Sequence, residues 1–315
     1  MRILCLWVDK YFSGSTSERF LKPLKALGHQ CTVMPLEDGN VEKRLFEATN
    51  VDNYDMLLHL PYPNTMRLEI IQHLPIRTVA WNGDDEHYWQ IHPEFAKKIE
   101  ETHDYCITTY KPALERYRNG ILGSWGYSDD WAPKKTEKDI DIYFCGSKTP
   151  IRDMYIEALI DAGFKIVLDG SGYSGKVPFK TMIDRYRRAK IGLNFVTENK
   201  DKFIYQQVKA RTFEIPAVGT FMLSENCREI HDYFRQQIDF DTFIDTKSLV
   251  RLCKYYLKEN IKRELIAKSG HKRNKKYSYE LMFDRVFKEI KDRETLRPDQ
   301  IDKMNPHQKE VYEKA

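Results

Sequence analysis

Short apolar runs alternating with amphipathic helical segments along nearly the whole chain restrict its fold more than any other feature. "RILCLWV" is continuously apolar, the pattern of a parallel strand covered on both faces. "SERFLKPLKALGH" follows with apolar residues at helical spacing and Gly28 as its stop. "QCTVMPL", "YDMLLHL", "RTVAWN" and "YCITTY" read as further strands, and "VEKRLFEAT", "NTMRLEIIQHL", "PEFAKKIEETH" and "PALERYRNG" as the helices between them. No hairpin signal interrupts this β-α-β repeat, so a doubly wound parallel sheet is predicted. The alternation breaks at "GSWGYSDDWAPKKTEKD", which has linker composition. It then restarts with strands at "IDIYFCGS", "FKIVLDG", "KIGLNFV" and "TFMLS", helices between them, and "YQQVKARTFEIPAVG" predicted to be mostly helix. The expected architecture is α/β with two Rossmann-like domains, residues 1–133 and 134–280. The segment 281–315 is expected to supply a helix that crosses back to the first domain, followed by a polar tail. Open parallel sheets bind ligands at the carboxyl ends of their strands, so the cleft between the domains is the expected site.

The bulk properties narrow the class. With 41% hydrophobic and 31% charged residues the chain reads as a globular protein. No apolar run reaches the roughly 18 residues of a membrane span, and the first run lacks the form of a signal peptide. The six cysteines are scattered without a CxxC spacing, as expected for reduced thiols in the cytoplasm rather than a disulfide frame or zinc site. The net charge of +4 is unevenly spread. Residues 1–130 hold 14 Lys and Arg against 19 Asp and Glu, whereas residues 131–315 hold 37 against 28. A basic second half suits a phosphate-bearing ligand.

Several familiar sites are missing. The sequence has no GxxxxGK[ST], no GxSxG and no HExxH. Polar loops after the second-half strands remain, above all "CGSKTPIR" with Gly146, Ser147 and Arg152, and "DGSGYSGK" with Gly170. Glycine-rich turns that feed helix N-termini offer amides to phosphate oxygens. Arg152, Lys209 and Arg211 can make charge-assisted contacts to a diphosphate, and Glu214 can accept both hydroxyls of a ribose. Together these residues describe a nucleotide-sugar site. The competing reading of Glu214 is a helix acid paired with Lys209 or Arg211. Those two basic residues, two positions apart, cannot share one helix face.

"DIYFCGSKTPIRDMYIEALIDAGFKIVLDGSG", "YRRAKIGLNF", "QVKARTFEIPAVGTFMLSE" and "YSYELMFDRVF" resemble the C-terminal half of glycosyltransferases of the spore-maturation CgeB type. More broadly they are similar to two-domain GT-B glycosyltransferases. The resemblance covers residues about 140 to 287 and, in the first half, only "VAWNGDDEHYW". It implies a nucleoside-diphosphate sugar, UDP-sugar foremost, held by the second domain as co-substrate, with no tightly bound cofactor and no required metal. The acceptor, bound mainly by the first domain, stays open between a glycan, a protein, a small metabolite and a hydroxymethylated DNA base of the bacteriophage kind. DNA is the minority choice among these. Many such enzymes carry two Glu separated by seven residues; here Glu214 stands at the second position and Gln206 at the first. That departure also admits a non-catalytic nucleotide-sugar-binding protein.

In the first domain the candidates at strand ends are His59, the adjacent Asp84 and Asp85, and Asp9 with Ser13 and Gly14 in the following loop. An Asp or His can act as general base toward an acceptor hydroxyl in an inverting reaction. A retaining reaction needs groups that stabilise the departing diphosphate instead. The bland alternatives are a helix cap for Asp84–Asp85 and a structural role for His59.

Overall fold

The computed structural model describes residues 1–9, 15–200 and 203–294. It divides into two compact units, one combining Met1–Ser124 with the segment from Tyr279, the other spanning Trp125–Ser278.

The first unit is built on β1 (Arg2–Trp7), β2 (Gln30–Pro35), β3 (Met56–His59), β4 (Arg77–Asn82), β5 (Tyr105–Thr108) and β6 (Gly120–Leu122). Its helices are α1 (Ser15–Ala26), α2 (Val41–Val51), α3 (Asp85–Ile91) and α4 (Pro93–Thr102). All six strands are parallel, in the order β2-β1-β3-β4-β5-β6. β1 is buried from Ile3 to Trp7, which is why its sequence shows no polar alternation.

The second unit holds β7 (Ile140–Cys145), β8 (Ile166–Asp169), β9 (Ala189–Asn194), β10 (Thr197–Lys200), β11 (Phe203–Gln206), β12 (Phe221–Glu225) and β13 (Asp241–Phe243). Its helices are α5 (Pro150–Asp161), α6 (Phe179–Arg188), α7 (Arg211–Ala217), α8 (Ile230–Tyr233), α9 (Thr246–Lys258) and α10 (Asn260–Asn274). The main sheet is parallel in the order β13-β12-β9-β7-β8. Strand order therefore reverses beside β7, and the carboxyl ends of β7 and β9 form the switch point where this topology leaves a crevice. The last helix, α11 (Tyr279–Glu294), belongs to the first unit. Its Tyr279 and Phe283 pack edge-on against Phe20 of α1, at 4.9 and 5.6 Å between ring centroids. Its Arg293 donates to the Gly120 carbonyl.

Three sequence expectations need correction. The division falls after Ser124, not at 133, because the intervening stretch packs into the second unit. Trp131 packs at a tilt against Phe179, with ring centroids 4.9 Å apart, and Arg187 reaches the carbonyls of Asp130 and Ala132. β10 and β11 form an antiparallel hairpin where none was predicted, and it takes up the start of the expected long helix. α7 keeps only seven residues, since Pro216 has no N–H to give the Thr212 carbonyl and Gly219 (φ 75°) turns the chain out. Leu68–His73 and Lys111–Arg116 close as short 3₁₀ segments rather than α-helices. Pro75 restricts Leu74 to extended geometry just after the first of them.

Candidate functional site

In the second unit the loops after β7 and β8 lock together. The Gly146 amide donates to the Asp169 carbonyl at 2.9 Å and the Lys148 amide to the Ser171 carbonyl at 2.8 Å. Gly170 sits at φ 116°, and a Cβ there would stand 2.0 Å from the Gly146 oxygen, so only glycine allows this approach. Asp169 anchors the loop base through Tyr143 (2.6 Å), Ser174 (2.8 Å) and an ion pair with Arg185. Thr149 caps α5 by accepting the Arg152 amide.

Gly146, Ser147, Gly170, Arg152 and Arg211 lie in or against these loops, and several of the predicted donor residues already have partners. Arg152 is buried, donates Nη1 to the Ser147 carbonyl at 2.9 Å and forms an ion pair with Glu198 of β10. The reading of Arg152 as an uncommitted phosphate ligand is therefore corrected: its charge is matched within the chain. Arg211 donates Nε to the Cys145 carbonyl at 2.9 Å and pairs with Glu214, whose carboxylate is fully buried. Burial opposes the charged Arg211, yet the Glu214 charge outweighs it and holds the guanidinium protonated. The acid is thus neither solvent-facing nor unpaired, and the pair ties the first turn of α7 to the end of β7. Gln206 donates Nε2 to Thr197 Oγ1 and to the Asn226 carbonyl, both at 3.1 Å. Those two donor bonds suit an amide, and a carboxylate in its place would face the Asn226 carbonyl oxygen unprotonated. Lys209 lies over the Tyr205 ring at 5.9 Å.

Sequence reasoning missed the residues that join these parts. Glu225, at the end of β12, accepts the amides of Val196 and Thr197 and the Thr197 hydroxyl at 2.6–3.0 Å. Asn194, fully buried at the end of β9, donates to Thr212 and Ser224. Polar residues ending apolar strands were the available signal: "GLNF" and "MLSE" both carry it.

In the first unit, Asp85 opens α3 and is fully buried. Its Oδ1 accepts the Tyr117 hydroxyl at 2.7 Å, and that hydroxyl accepts Asn82 Nδ2 at 2.8 Å. Burial pushes the Asp85 carboxyl up to about 6, against the pull of the Thr108 and Tyr117 hydroxyls and the charge of Arg116. Neighbouring Glu86 is buried and paired with Arg116 at 2.8 Å. Asp84 holds the N-cap position but its side chain makes no capping bond, which corrects the simple cap reading. Asp9 is a capping group instead: its Oδ1 accepts the Ser17 amide in the first turn of α1 at 3.1 Å. Ser13 and Gly14 lie outside the described residues. His59 is fully buried against His103, a placement that corrects its reading as an accessible base. A cavity of about 420 Å³ in this unit, lined by Tyr54, Arg77, Thr78, Asp104 and Glu294 among others, opens at the amino ends of β3–β5, the wrong end of the sheet for Asp85. Among the described residues no cluster of His, Cys, Asp and Glu has metal-site geometry, and no helix is long and apolar enough to cross a membrane.

Residues 149–286 match a family model described as glycosyl transferase-like. No curated protein matches the chain in sequence. Solved structures match over nearly the full length. An alpha-glucosyltransferase in complex with UDP-glucose and DNA containing an abasic site aligns at 12% identity and TM-score 0.70, covering 92% of this chain and 99% of that one. HepE from Anabaena, in complex with UDP and glucose, aligns at 8% identity and TM-score 0.67, covering 93% and 100%. Sucrose-phosphate synthase from Thermosynechococcus elongatus aligns at 12% identity and TM-score 0.62, covering 92% and 99%. The chain has the GT-B fold of two parallel-sheet α/β domains. The residues matched by the family model cover the greater part of its second unit.

Proposed function

We propose that the protein transfers a hexosyl or pentosyl group from a nucleoside-diphosphate sugar, with UDP as the preferred nucleotide, to an acceptor handled by the first unit. The carrying observation is that the glycosyl transferase-like match begins at Thr149, the cap of α5, and takes in the β8 loop that locks onto the Gly146–Lys148 loop at the switch point of the second sheet. The diphosphate is assigned to the 146–152 turn with Gly170 at its back. Lys209 supplies charge, and the Arg211–Glu214 pair shapes the floor. Kinship with the CgeB type is part of the same reading, as are a soluble cytoplasmic setting and catalysis without a metal. A glycan, protein or hydroxymethylated DNA base remains the acceptor class, and the DNA-bound alpha-glucosyltransferase of like fold keeps the last in play.

UDP is expected to raise the melting temperature in a saturable way, with ADP, GDP and dTDP weaker. Gly170→Ala, which forces the two loops apart, is expected to abolish the shift. A protein indifferent to all four nucleotides would remove the proposal. Gln206 and the internally matched Arg211–Glu214 pair favour one other reading, a sensor that binds the donor without chemistry. Slow release of sugar from UDP-glucose to water separates the two, because a sensor leaves the donor intact.

Asp85 is proposed as the proton-handling group, with Asp84 as the half-buried alternative; His59, buried like Asp85, is withdrawn because its ring is tied to His103 and held well below the ordinary histidine range. A carboxyl poised near 6 suits general acid–base work near neutral pH. Its folded value lies above the unfolded one, so the stability cost of Asp85 builds as pH rises from about 4 to about 6 and is complete above that. Asp85→Asn is therefore expected to stabilise the first unit by about 2–3 kcal/mol at neutral pH and not at pH near 4. It is also expected to lower transfer about 100-fold or more. A variant that is both active and no more stable fails on both counts.

A further inference from the structure

We propose that the outward face of α9 and α10 docks on an anionic lipid surface. α9 contains no Asp or Glu, and its exposed positions Lys247, Arg251, Lys254 and Lys258 follow one another at spacings that keep a single helical stripe. The stripe runs about 16 Å along the helix. α10 and its C-cap continue the pattern: Ile261, Leu265, Lys268, Lys272 and the capping Lys275 share one exposed stripe opposite buried Arg263, Ile266, Ala267 and Gly270.

Both helices bury their inner faces in one apolar cluster, Leu249, Leu252, Cys253 and Tyr256 from α9 and Ile266 and Ala267 from α10. Their outer faces therefore lie on the same side of the unit. They meet where Lys262 of α10 donates to the Tyr255 hydroxyl at 3.2 Å. The acids of the two helices and their corner are Asp245 ahead of α9, Glu259 at the corner and Glu264 bordering the α10 stripe, and the neighbouring α5 adds exposed Glu157 and Asp161. At the same corner three apolar side chains stand in water: Ile261 is 78% exposed, Leu265 63% and Tyr255 40%.

The combination selects the partner. A polyphosphate such as nucleic acid rewards the cations but gains nothing from an exposed isoleucine and leucine among them. A bilayer interface rewards both, taking the apolar side chains below its headgroups while the lysines neutralise anionic lipid. Such docking would hold the second unit against a membrane with no spanning helix involved. The inference is independent of the transferase reading, because lipid binding is scored without any sugar donor.

The test is cosedimentation of the full chain with vesicles of phosphatidylcholine alone and of phosphatidylcholine mixed with phosphatidylglycerol. Binding to the mixed vesicles only, weakening as salt is raised, is expected. Ile261→Asp with Leu265→Asp is expected to reduce binding about tenfold or more, and Lys254→Glu with Lys258→Glu to do the same. All four side chains are exposed, so the melting curve should not move. Absence from the mixed vesicles, undiminished binding by both variants, or capture by duplex DNA in place of vesicles would overturn the proposal.

Discussion

Arg211→Met is expected to destabilise the second unit by about 3–5 kcal/mol, a large share of the stability a domain of this size holds. The reason is the acid it leaves behind. Glu214 is fully buried in α7, and Arg211, only 19% exposed, is the cation paired with it. Loss of that charge leaves a fully buried carboxylate with less compensation for its burial, which is costly. The same substitution removes the Nε donor from the Cys145 carbonyl, loosening the end of β7 just where Gly146 begins the switch-point loop. Glu214→Gln should cost less, about 1–2 kcal/mol, because the partly exposed guanidinium can still reach solvent. Replacing both, Arg211→Met with Glu214→Leu, should recover part of the loss, since the buried carboxylate goes with its cation while the Cys145 carbonyl still lacks its donor. Thermal melts of the three variants check this. The Arg211→Met deficit should also shrink as pH falls, once the stranded acid can be protonated from solvent. Equal melting points for wild type and Arg211→Met would mean that the pair carries no stability. The nucleotide shift adds a second readout. If Glu214 serves only as internal counter-ion, Glu214→Gln keeps the response to UDP; if it grips a ribose, the response disappears at little cost in stability.

The order of strands was readable because parallel strands buried on both faces are written as continuous apolar runs, and "RILCLWV", "DMLLHL" and "KIGLNFV" became β1, β3 and β9 with ends shifted by a residue or two. The hairpin was not. β10 and β11 have four residues each, and β11 alternates exposed Ile204 with buried Tyr205, a pattern too short to separate from a helix start. At the site, residue types were legible and their commitments were not. Arg152 and Glu198 are 46 positions apart, and only the sheet order brings them together. The Arg211–Glu214 pair, three positions apart, was among the readings available, but as a solvated pair. Its burial depends on α10, where Asn274 donates to the Phe213 carbonyl and His271 bonds the Pro216 carbonyl, contacts that no local pattern announces. Gln206 looked like a lost acid in the sequence, and its two donor bonds now give that amide a structural reason.

Acid is expected to loosen the first unit through a histidine pair far from any surface. His59 at the end of β3 and His103 ahead of β5 stack with ring centroids 5.2 Å apart, and His59 Nδ1 lies 2.9 Å from His103 Nε2. His103 Nδ1 sits 2.9 Å from the Ile99 carbonyl, which can only accept, so this nitrogen carries the proton. His103 Nε2 is then the acceptor and His59 Nδ1 the donor, leaving His59 Nε2 buried without a partner. Both rings are thus neutral, and a proton on either would be a buried charge beside its neighbour. Burial holds His103 down to about 4, and burial together with the charge of His103 holds His59 well below the ordinary range. Because the folded values lie below the unfolded ones, the stability from this pair is complete above the unfolded histidine value near 6.5 and is lost as pH falls toward the folded values. His103 alone then accounts for about 3 kcal/mol between pH about 6.5 and 4. Asp85 acts in the opposite sense, gaining stability as pH drops from about 6 toward 4, and masks part of the loss. The separation is therefore made by variants. Asp85→Asn should steepen the acid slope of first-unit stability, followed through hydrogen exchange of the β3 and β5 amides. His103→Gln, which keeps a donor and an acceptor without titrating, should flatten it. An unchanged slope in His103→Gln would assign the acid response to other groups and leave the pair as neutral packing alone.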